Sequence, residues 1–459
     1  MTTISDPGTR GMLTLDELRV LVEAGEIDTV TVAITDVQGR LQGKLLGAEY
    51  FINEVAGHSS EGCNYLLAVD VEMNTVDGYA ISSWESGYGD LVMRPDLSTL
   101  RLTPWQPGAA LVICDVLWPS GSPVVQSPRQ ILQAQVDRLA ERGLQAFAGT
   151  ELEFIAFDTS YEDAQRSGYR ELVPANLYNV DYSLLGSVRV EPLLREIRNA
   201  MAGAGFYVEG TKGECNFGQH EITFKFRDVV GSCDNHSIYK FGAKVLAANA
   251  GKSITFMAKY NEREGNSCHI HLSFRGADGA FVMAGDREHG FSELMEHFIA
   301  GVLDALPDFT YFLAPNINSY KRFVKGSFAP TAVAWGFDNR TCAVRVVGKG
   351  PSLRAELRVG GADLNPYLAV AAFIAAGLHG IENELPLPPL VTGNAYEAAV
   401  DQLPTTLVDA AARLGSSELA RTAFGDAVVD HYVNAARVEI DAFERAITDW
   451  EKVRGFERL

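Results

Sequence analysis

Three short stretches of the chain put polar groups on one side of an extended backbone and apolar groups on the other. They are Glu151-Leu152-Glu153, His269-Ile270-His271 and Arg354-Ala355-Glu356-Leu357-Arg358. Side chains alternate faces along a β-strand, so residues i and i+2 point the same way. Each stretch therefore aims two or three ionisable groups at one space, while Phe154, Ile155, Leu272 and Val359 indicate strands buried on the back. Carboxylates, imidazoles and guanidiniums gathered in this way suit a cavity that binds metal and anion side by side.

Around these stretches the pattern predicts two regions. Thr14-Leu-Asp-Glu17 is a capping box ahead of a helix ending near Gly25. Strands follow at 28–35 and 41–46 around the turn Asp36-Val37-Gln38-Gly39, with more up to 109–116, which makes a small strand-rich N-terminal region. Pro119-Ser-Gly-Ser-Pro123 reads as a linker. Ser127 as N-cap, Pro128 at the first helical position and Gln130 at the third then open a helix running to Gly143. Beyond it strands (145–157, 206–213, 219–226, 253–259, 267–275) alternate with helices near 191–204 and 234–250, and helices dominate after Asn365.

Composition narrows the function. The 459 residues carry 47% hydrophobic and 21% charged side chains, as expected of a globular protein with at least one large core. A net charge of −20 with no basic run argues against a nucleic-acid partner. The six cysteines (63, 114, 215, 233, 268 and 342) form no Cys-x-x-Cys pair, which excludes zinc-ribbon and thioredoxin-type sites and fits reduced thiols. The N-terminus lacks the basic and apolar blocks of a signal peptide. The apolar run 367–381 is short for a membrane span, so a cytoplasmic protein without membrane contact is expected.

Each candidate constellation has a plainer alternative. Glu151 and Glu153 suit Mg²⁺ or Mn²⁺, or could be surface carboxylates. Glu214 and Glu221 flank a turn at Gly218, so two adjacent strands could each offer a carboxylate, or form a charged hairpin. His269 and His271 could belong to a mainly carboxylate metal site, or be two satisfied strand histidines. Arg322, Arg340, Arg345, Arg354 and Arg358 suit phosphate and carboxylate ligands, or an intersubunit ion network. No Gly-x-x-x-x-Gly-Lys-Ser/Thr loop is present, so any nucleotide is held without a P-loop. Metal carboxylates beside arginines point to metal-assisted phosphoryl transfer.

At this point the chain resembles the glutamine synthetase family over nearly its whole length. The resemblance rests on Asn318-Ser-Tyr-Lys-Arg322, Asn339-Arg340, Arg354-x-Glu356-x-Arg358 with Asn365-Pro-Tyr-Leu368, Gly218-Gln-His-Glu221, His269-x-His271-x-Ser273 and Asp90-Leu-Val-Met-Arg-Pro-Asp96. It implies an α+β protein with a β-grasp domain over residues 1–122 and a catalytic α/β domain over 123–459. It also implies a homo-oligomer of two stacked rings, a dodecamer, with active sites between subunits. Glu153, Glu214 and Glu221 match the ligands of one Mg²⁺ or Mn²⁺, and Glu151, His269 and Glu356 those of another. Arg322 and Arg358, with the backbone at Gly265, match the glutamate site. Phe226, Ser273 and Arg354 match positions around ATP, where Arg340 and Arg345 meet the transferred phosphate. Glu214 and His271 join Arg340 and Arg345 as catalytic positions.

Departures from the family concern the nitrogen nucleophile. Ammonia-using members carry a Glu in a Gly-x-Glu-Ala-Pro flap, whereas this chain reads Gly326-Ser-Phe328-Ala-Pro330. The Asp-Gly-Ser-Ser segment, whose Asp also meets ammonium, is replaced by Gly62-Cys-Asn-Tyr-Leu-Leu67. Glu264 and Ser267 replace an Asn and a Gly, and the adenylylation segment is not apparent. Losing two carboxylates weakens a pocket for a small hydrated cation, while Phe328 offers a surface to the carbon part of a larger amine. The expected activity is ATP-dependent ligation of glutamate to a primary amine, a polyamine or ethanolamine, in amine catabolism or detoxification. An ammonia-using glutamine synthetase and a non-catalytic binding protein of the same shape are the alternatives.

Overall fold

A computed structural model describes residues 9–459 as a mixed helix-and-sheet protein with two sheets. The first sheet contains β1 (Thr29–Thr35), β2 (Leu41–Gly47), β3 (Ser60–Cys63), β4 (Asp90–Pro95), β5 (Arg101–Leu102) and β6 (Ala109–Leu117). Its order is β2-β1-β6-β4-β3, with β1 and β6 parallel and β5 paired to β6, a grasp-like arrangement. The preceding helix Leu15–Glu23 is capped by Thr14 and Glu17 in the expected reciprocal box. Its Leu18 is buried with Val30, Val32 and Ile34, the alternate residues of β1.

The second sheet builds the site. It holds β7 (Leu144–Phe157), β8 (Val208–Gly213), β9 (Gln219–Phe224), β10 (Arg227–Asp228), β11 (Ser253–Thr255), β12 (Cys268–Gly276), β13 (Trp335–Phe337), β14 (Val344–Val347) and β15 (Arg354–Leu357). The order is β13-β14-β15-β12-β7-β9-β8, and short β10 and β11 also pair with the long β7. Apart from the parallel β13–β14 pair, every pairing in this sheet is antiparallel. Helix Pro366–Glu382 is apolar all round because it is buried all round. Gly301 of helix Glu293–Leu313 and Gly380 lie too close for a Cβ: one placed on Gly301 would come within 2.3 Å of the Gly380 nitrogen. Among the described residues no helix is long and apolar enough to cross a membrane, and all six cysteines are free.

Several sequence expectations shift. Residues 119–123 are no loose linker but a tight turn, with Trp118 N–H bonded to the Ser122 carbonyl at 2.8 Å. Ser127 takes the N-cap position, yet its hydroxyl makes no cap bond, and that helix ends at Glu141. The helix expected near 191–204 spans Leu184–Gly203, capped by Ser183, with Pro192 inside it. Proline removes the bond to the carbonyl of residue 188, and Val188 is exposed, so water can serve that carbonyl. The helix expected from 234 starts at Val229, capped by Asp228. The 253–259 strand stops at Thr255, and Lys259 N–H is instead taken by the Asn318 side chain at 2.8 Å.

The two sheets are joined by polar contacts as well as by packing. Asn365, which caps the buried helix, also donates to the carbonyls of Asp36 (3.1 Å) and Val37 (3.2 Å) in the β1–β2 turn. His431, buried in helix Asp426–Arg445, packs against Tyr79 in a tilted arrangement at 4.6 Å between ring centroids. Burial lowers the His431 pKa to about 4, against an opposing hydrogen bond with the Leu67 backbone. A histidine with a depressed folded pKa contributes stability in full above its unfolded value, near 6.5, and loses it as pH falls towards 4. We expect wild type to lose about 3 kcal/mol through this group across that window. Urea midpoints at pH 7 and pH 5 check it: a His431→Gln variant should show a smaller drop, and an equal drop would remove His431 as a source.

Candidate active site

Register across the second sheet assembles the site. Glu151 and Glu153 sit two apart on β7. Glu151 lies opposite His269 on β12, and Glu153 lies opposite Glu221 on β9. His271 on β12 lies opposite Glu356 on β15, which lies opposite Arg345 on β14. Directly opposed residues share a face, so the alternating stretches merge into one polar surface over an apolar back formed by Leu152, Phe154, Ile270 and Leu272. Glu214 joins through the β8–β9 turn, where Gly218 takes φ +72° and Glu214 N–H meets the Gln219 carbonyl at 2.9 Å.

Two clusters result. In the first, oxygens of Glu153, Glu214 and Glu221 lie within 4.8 Å of one another. Glu153 is fixed by Ser267, through its N–H at 2.7 Å and its hydroxyl at 2.5 Å, and by Gln219 Nε2 at 3.1 Å. Burial first, then the charges of Glu151 and Glu153, push Glu221 up to about 8. Carboxylates held together against their mutual repulsion fit a hard divalent cation.

In the second cluster, groups of Glu151, His271 and Glu356 also lie within 4.8 Å of one another, so His271 stands where His269 was expected, with His269 adjoining both carboxylates. Glu151 meets His269 Nδ1 at 3.2 Å and His271 Nε2 at 2.9 Å. Arg354 Nε donates to His271 Nδ1 at 3.2 Å, so His271 carries its proton on Nε2 and donates to Glu151. Burial would raise the Glu151 pKa, but the bonds from the two histidines outweigh it and hold the carboxyl far below its usual range. Glu356 is completely buried. It accepts from Arg345 at 2.8 Å and from Arg358, and lies 3.6 Å from His269 Nδ1.

Two cavities meet at Glu151. One, of about 450 Å³, is lined by Glu151, Glu153, Glu214, Glu221, Gly265, His269, Arg322, Phe328, Arg340, Arg345 and Arg358. The other, of about 330 Å³, is lined by Glu151, Phe226, His271, Ser273 and Arg354. All the candidate catalytic, substrate-binding and metal residues line one cavity or the other except Glu356, which is fully buried. Arg322 is buried and donates to the carbonyls of Val359 (2.7 Å) and Arg358 (3.1 Å), and burial lowers its pKa to about 10. Phe328 holds φ +58° on a flap fastened by Tyr396 Oη to the Ala329 carbonyl at 2.9 Å. The Gly62–Leu67 stretch lines neither cavity of its own chain.

Sequence reasoning missed several lining or supporting groups. Lys212, Asp181 and Tyr182 line the larger cavity. Arg275, at 4.6 Å over Phe147 and 5.0 Å over Phe281, walls the smaller one. Asp338 holds Arg345, with Nε at 3.0 Å. Lys212 was within reach of the alternation rule, because it sits two before Glu214, but Asp181 and Phe281 come from loops without a periodic signal.

The family described as glutamine synthetase, catalytic domain, matches residues 125–454. Gamma-glutamylethanolamide synthetase GlnA4 of Streptomyces coelicolor is 61% identical over 447 residues, covering 97% of this chain and 96% of that protein. Glutamate–isopropylamine ligase of a Pseudomonas species is 36% identical over 444 residues, covering 95% and 97%. Among solved structures, an ADP complex of GmaS aligns with a TM-score of 0.84 at 27% identity, over 96% of this chain and 99% of that one.

Proposed function

The chain belongs to the glutamine synthetase family, and on that premise we propose that it joins the γ-carboxylate of glutamate to ethanolamine at the expense of ATP. The observation that carries the choice of an amine over ammonia is Phe328. It lines the cavity that also holds Gly265, Arg322 and Arg358, at the flap position where ammonia-using relatives place a carboxylate. The relatives named for an ethanolamide product and for isopropylamine likewise take amines larger than ammonia.

Glutamate is held by Arg322, Arg358 and the Gly265 backbone, and ATP lies along Phe226, Ser273 and Arg354. The γ-carboxylate attacks the γ-phosphate, giving γ-glutamyl phosphate and ADP. Arg340 and Arg345 offset charge on the moving phosphoryl group. Mg²⁺ or Mn²⁺ held by Glu153, Glu214 and Glu221, and by Glu151, His269 and Glu356, would add positive charge to the same centre. His271 positions Glu151 through the bond from its Nε2. The amine then attacks the acyl carbon, a carboxylate such as Glu214 takes its proton, and phosphate leaves. Since Gly62–Leu67 lies away from its own cavity, a neighbouring subunit of a homo-oligomer completes the acceptor side.

The test is phosphate release with ATP, Mg²⁺ and glutamate against ammonium, ethanolamine, putrescine, cadaverine and spermine. Ethanolamine should be fastest, and ammonium as the best acceptor would sink the reading. Phe328→Glu restores a carboxylate and should shift the ammonium-to-ethanolamine ratio of kcat/KM by about tenfold towards ammonium. An unchanged ratio would take Phe328 out of acceptor choice.

A further inference from the structure

The cluster formed by Glu153, Glu214 and Glu221 already contains a positive charge supplied by the chain. Lys212 lies on β8 directly opposite Glu221 on β9, and two residues before Glu214. Both relations put its side chain on the carboxylate face, so strand register rather than a chance rotamer brings it there. Its ammonium contacts Glu214 and lies 3.9 Å from Glu221 Oε2. Three guanidiniums of this cavity are engaged elsewhere: Arg345 and Arg358 hold Glu356, and Arg322 holds backbone carbonyls. Among the described residues, Lys212 is the basic side chain that ion-pairs with Glu214 and Glu221.

In the same position the ammonium also faces an aromatic ring. It lies 4.9 Å from the ring centroid of Tyr182, an exposed residue that lines the cavity beside Asp181. A lysine is a point charge on a flexible stem, able to move between such partners without moving the backbone. An ammonium and a divalent ion held on the same carboxylates repel each other, and the divalent ion gains more from three carboxylates than the ammonium does. We propose that Lys212 is a tethered cation that offsets part of the negative charge of the Glu214–Glu221 cluster in the metal-free chain. When a divalent ion binds, the ammonium is displaced towards Tyr182 and Asp181. Metal loading here is then an exchange of one cation for another, and the affinity of this cluster is set below what its three carboxylates alone would give. The inference rests on the assignment of Glu153, Glu214 and Glu221 as metal ligands.

Mn²⁺ titration of the full-length protein without nucleotide, followed by the EPR signal of free Mn²⁺, tests it. Lys212→Met should bind one of its Mn²⁺ ions about tenfold more tightly than wild type, whereas Lys212→Arg, which keeps the charge, should stay near wild type. The metal-free melting temperature should fall in Lys212→Met, and the increase caused by Mn²⁺ should be larger. In wild type, acetylation of Lys212 mapped by peptide mass should be faster with Mn²⁺ than without. Equal or weaker Mn²⁺ affinity in Lys212→Met, or Mn²⁺-independent acetylation of wild type, overturns the exchange while leaving the ligand assignment standing. Absence of any Mn²⁺ binding by wild type overturns both.

Discussion

Glu356→Ala is expected to abolish ligase turnover and to lower unfolding stability by about 3–5 kcal/mol. Glu356 is fully buried, with Arg345 and Arg358 donating to its two oxygens and His269 at 3.6 Å. Truncation leaves two guanidiniums in a low-dielectric space without their common anion, and removing one partner of a buried ion pair costs far more than the pair itself contributes. It also removes a carboxylate from the second cluster, proposed to hold a metal ion, and the brace of two arginines assigned to phosphate and glutamate. Phosphate release with ethanolamine, measured where circular dichroism shows the variant folded, reads the first effect, and urea unfolding reads the second. Glu356→Gln keeps the shape and removes the charge, and should also be inactive. Near-normal turnover in either variant would remove Glu356 from the site.

Arg129→Met should lower stability by a similar amount, about 3–5 kcal/mol, without touching either cavity. Arg129 lies near the start of helix Pro128–Glu141 and reaches Asp96 at 2.6 Å, Asp115, and Asp234 at 3.1 Å. Asp96 and Asp115 belong to the first-sheet region, and Asp234 to helix Val229–Asn249 beneath the second, where Tyr367 Oη also donates to it at 2.6 Å. Three carboxylates around one nearly buried guanidinium tie the two halves together, and removing it leaves them repelling one another. Arg129→Lys should recover only part of the loss, because one ammonium cannot present the guanidinium's fork of donors to three carboxylates. A melting temperature for Arg129→Met equal to wild type would sink the idea of a clamp.

Much of this site was legible along the chain. Alternation placed Glu151 with Glu153 and His269 with His271 correctly, because a period of two is a property of any extended backbone. The Thr14 capping box and the buried 366–382 helix were legible for the same kind of reason: each depends on residues within a few positions. Helix starts were read less well. The helix expected near 191–204 starts at Leu184, and nothing local showed that Ser183 opens it two turns earlier and leaves residue 188 to solvent.

By itself the sequence determined the local geometry and the chemical inventory: which residues pair on one face, which donors suit a hard cation, and, through Phe328, that a carboxylate is missing from the flap. It also carried the family resemblance that the 61% identical relative bears out. Tertiary structure decided the rest. Only the β8–β9 register sets Lys212 against Glu221, and only the β15–β12–β7 order brings Glu356 beside His271 and Glu151 while burying it under Arg345 and Arg358. The physical reason is that cross-strand register depends on how distant strands pack. A charge's partners, unlike its face, are therefore not written within a few residues of it.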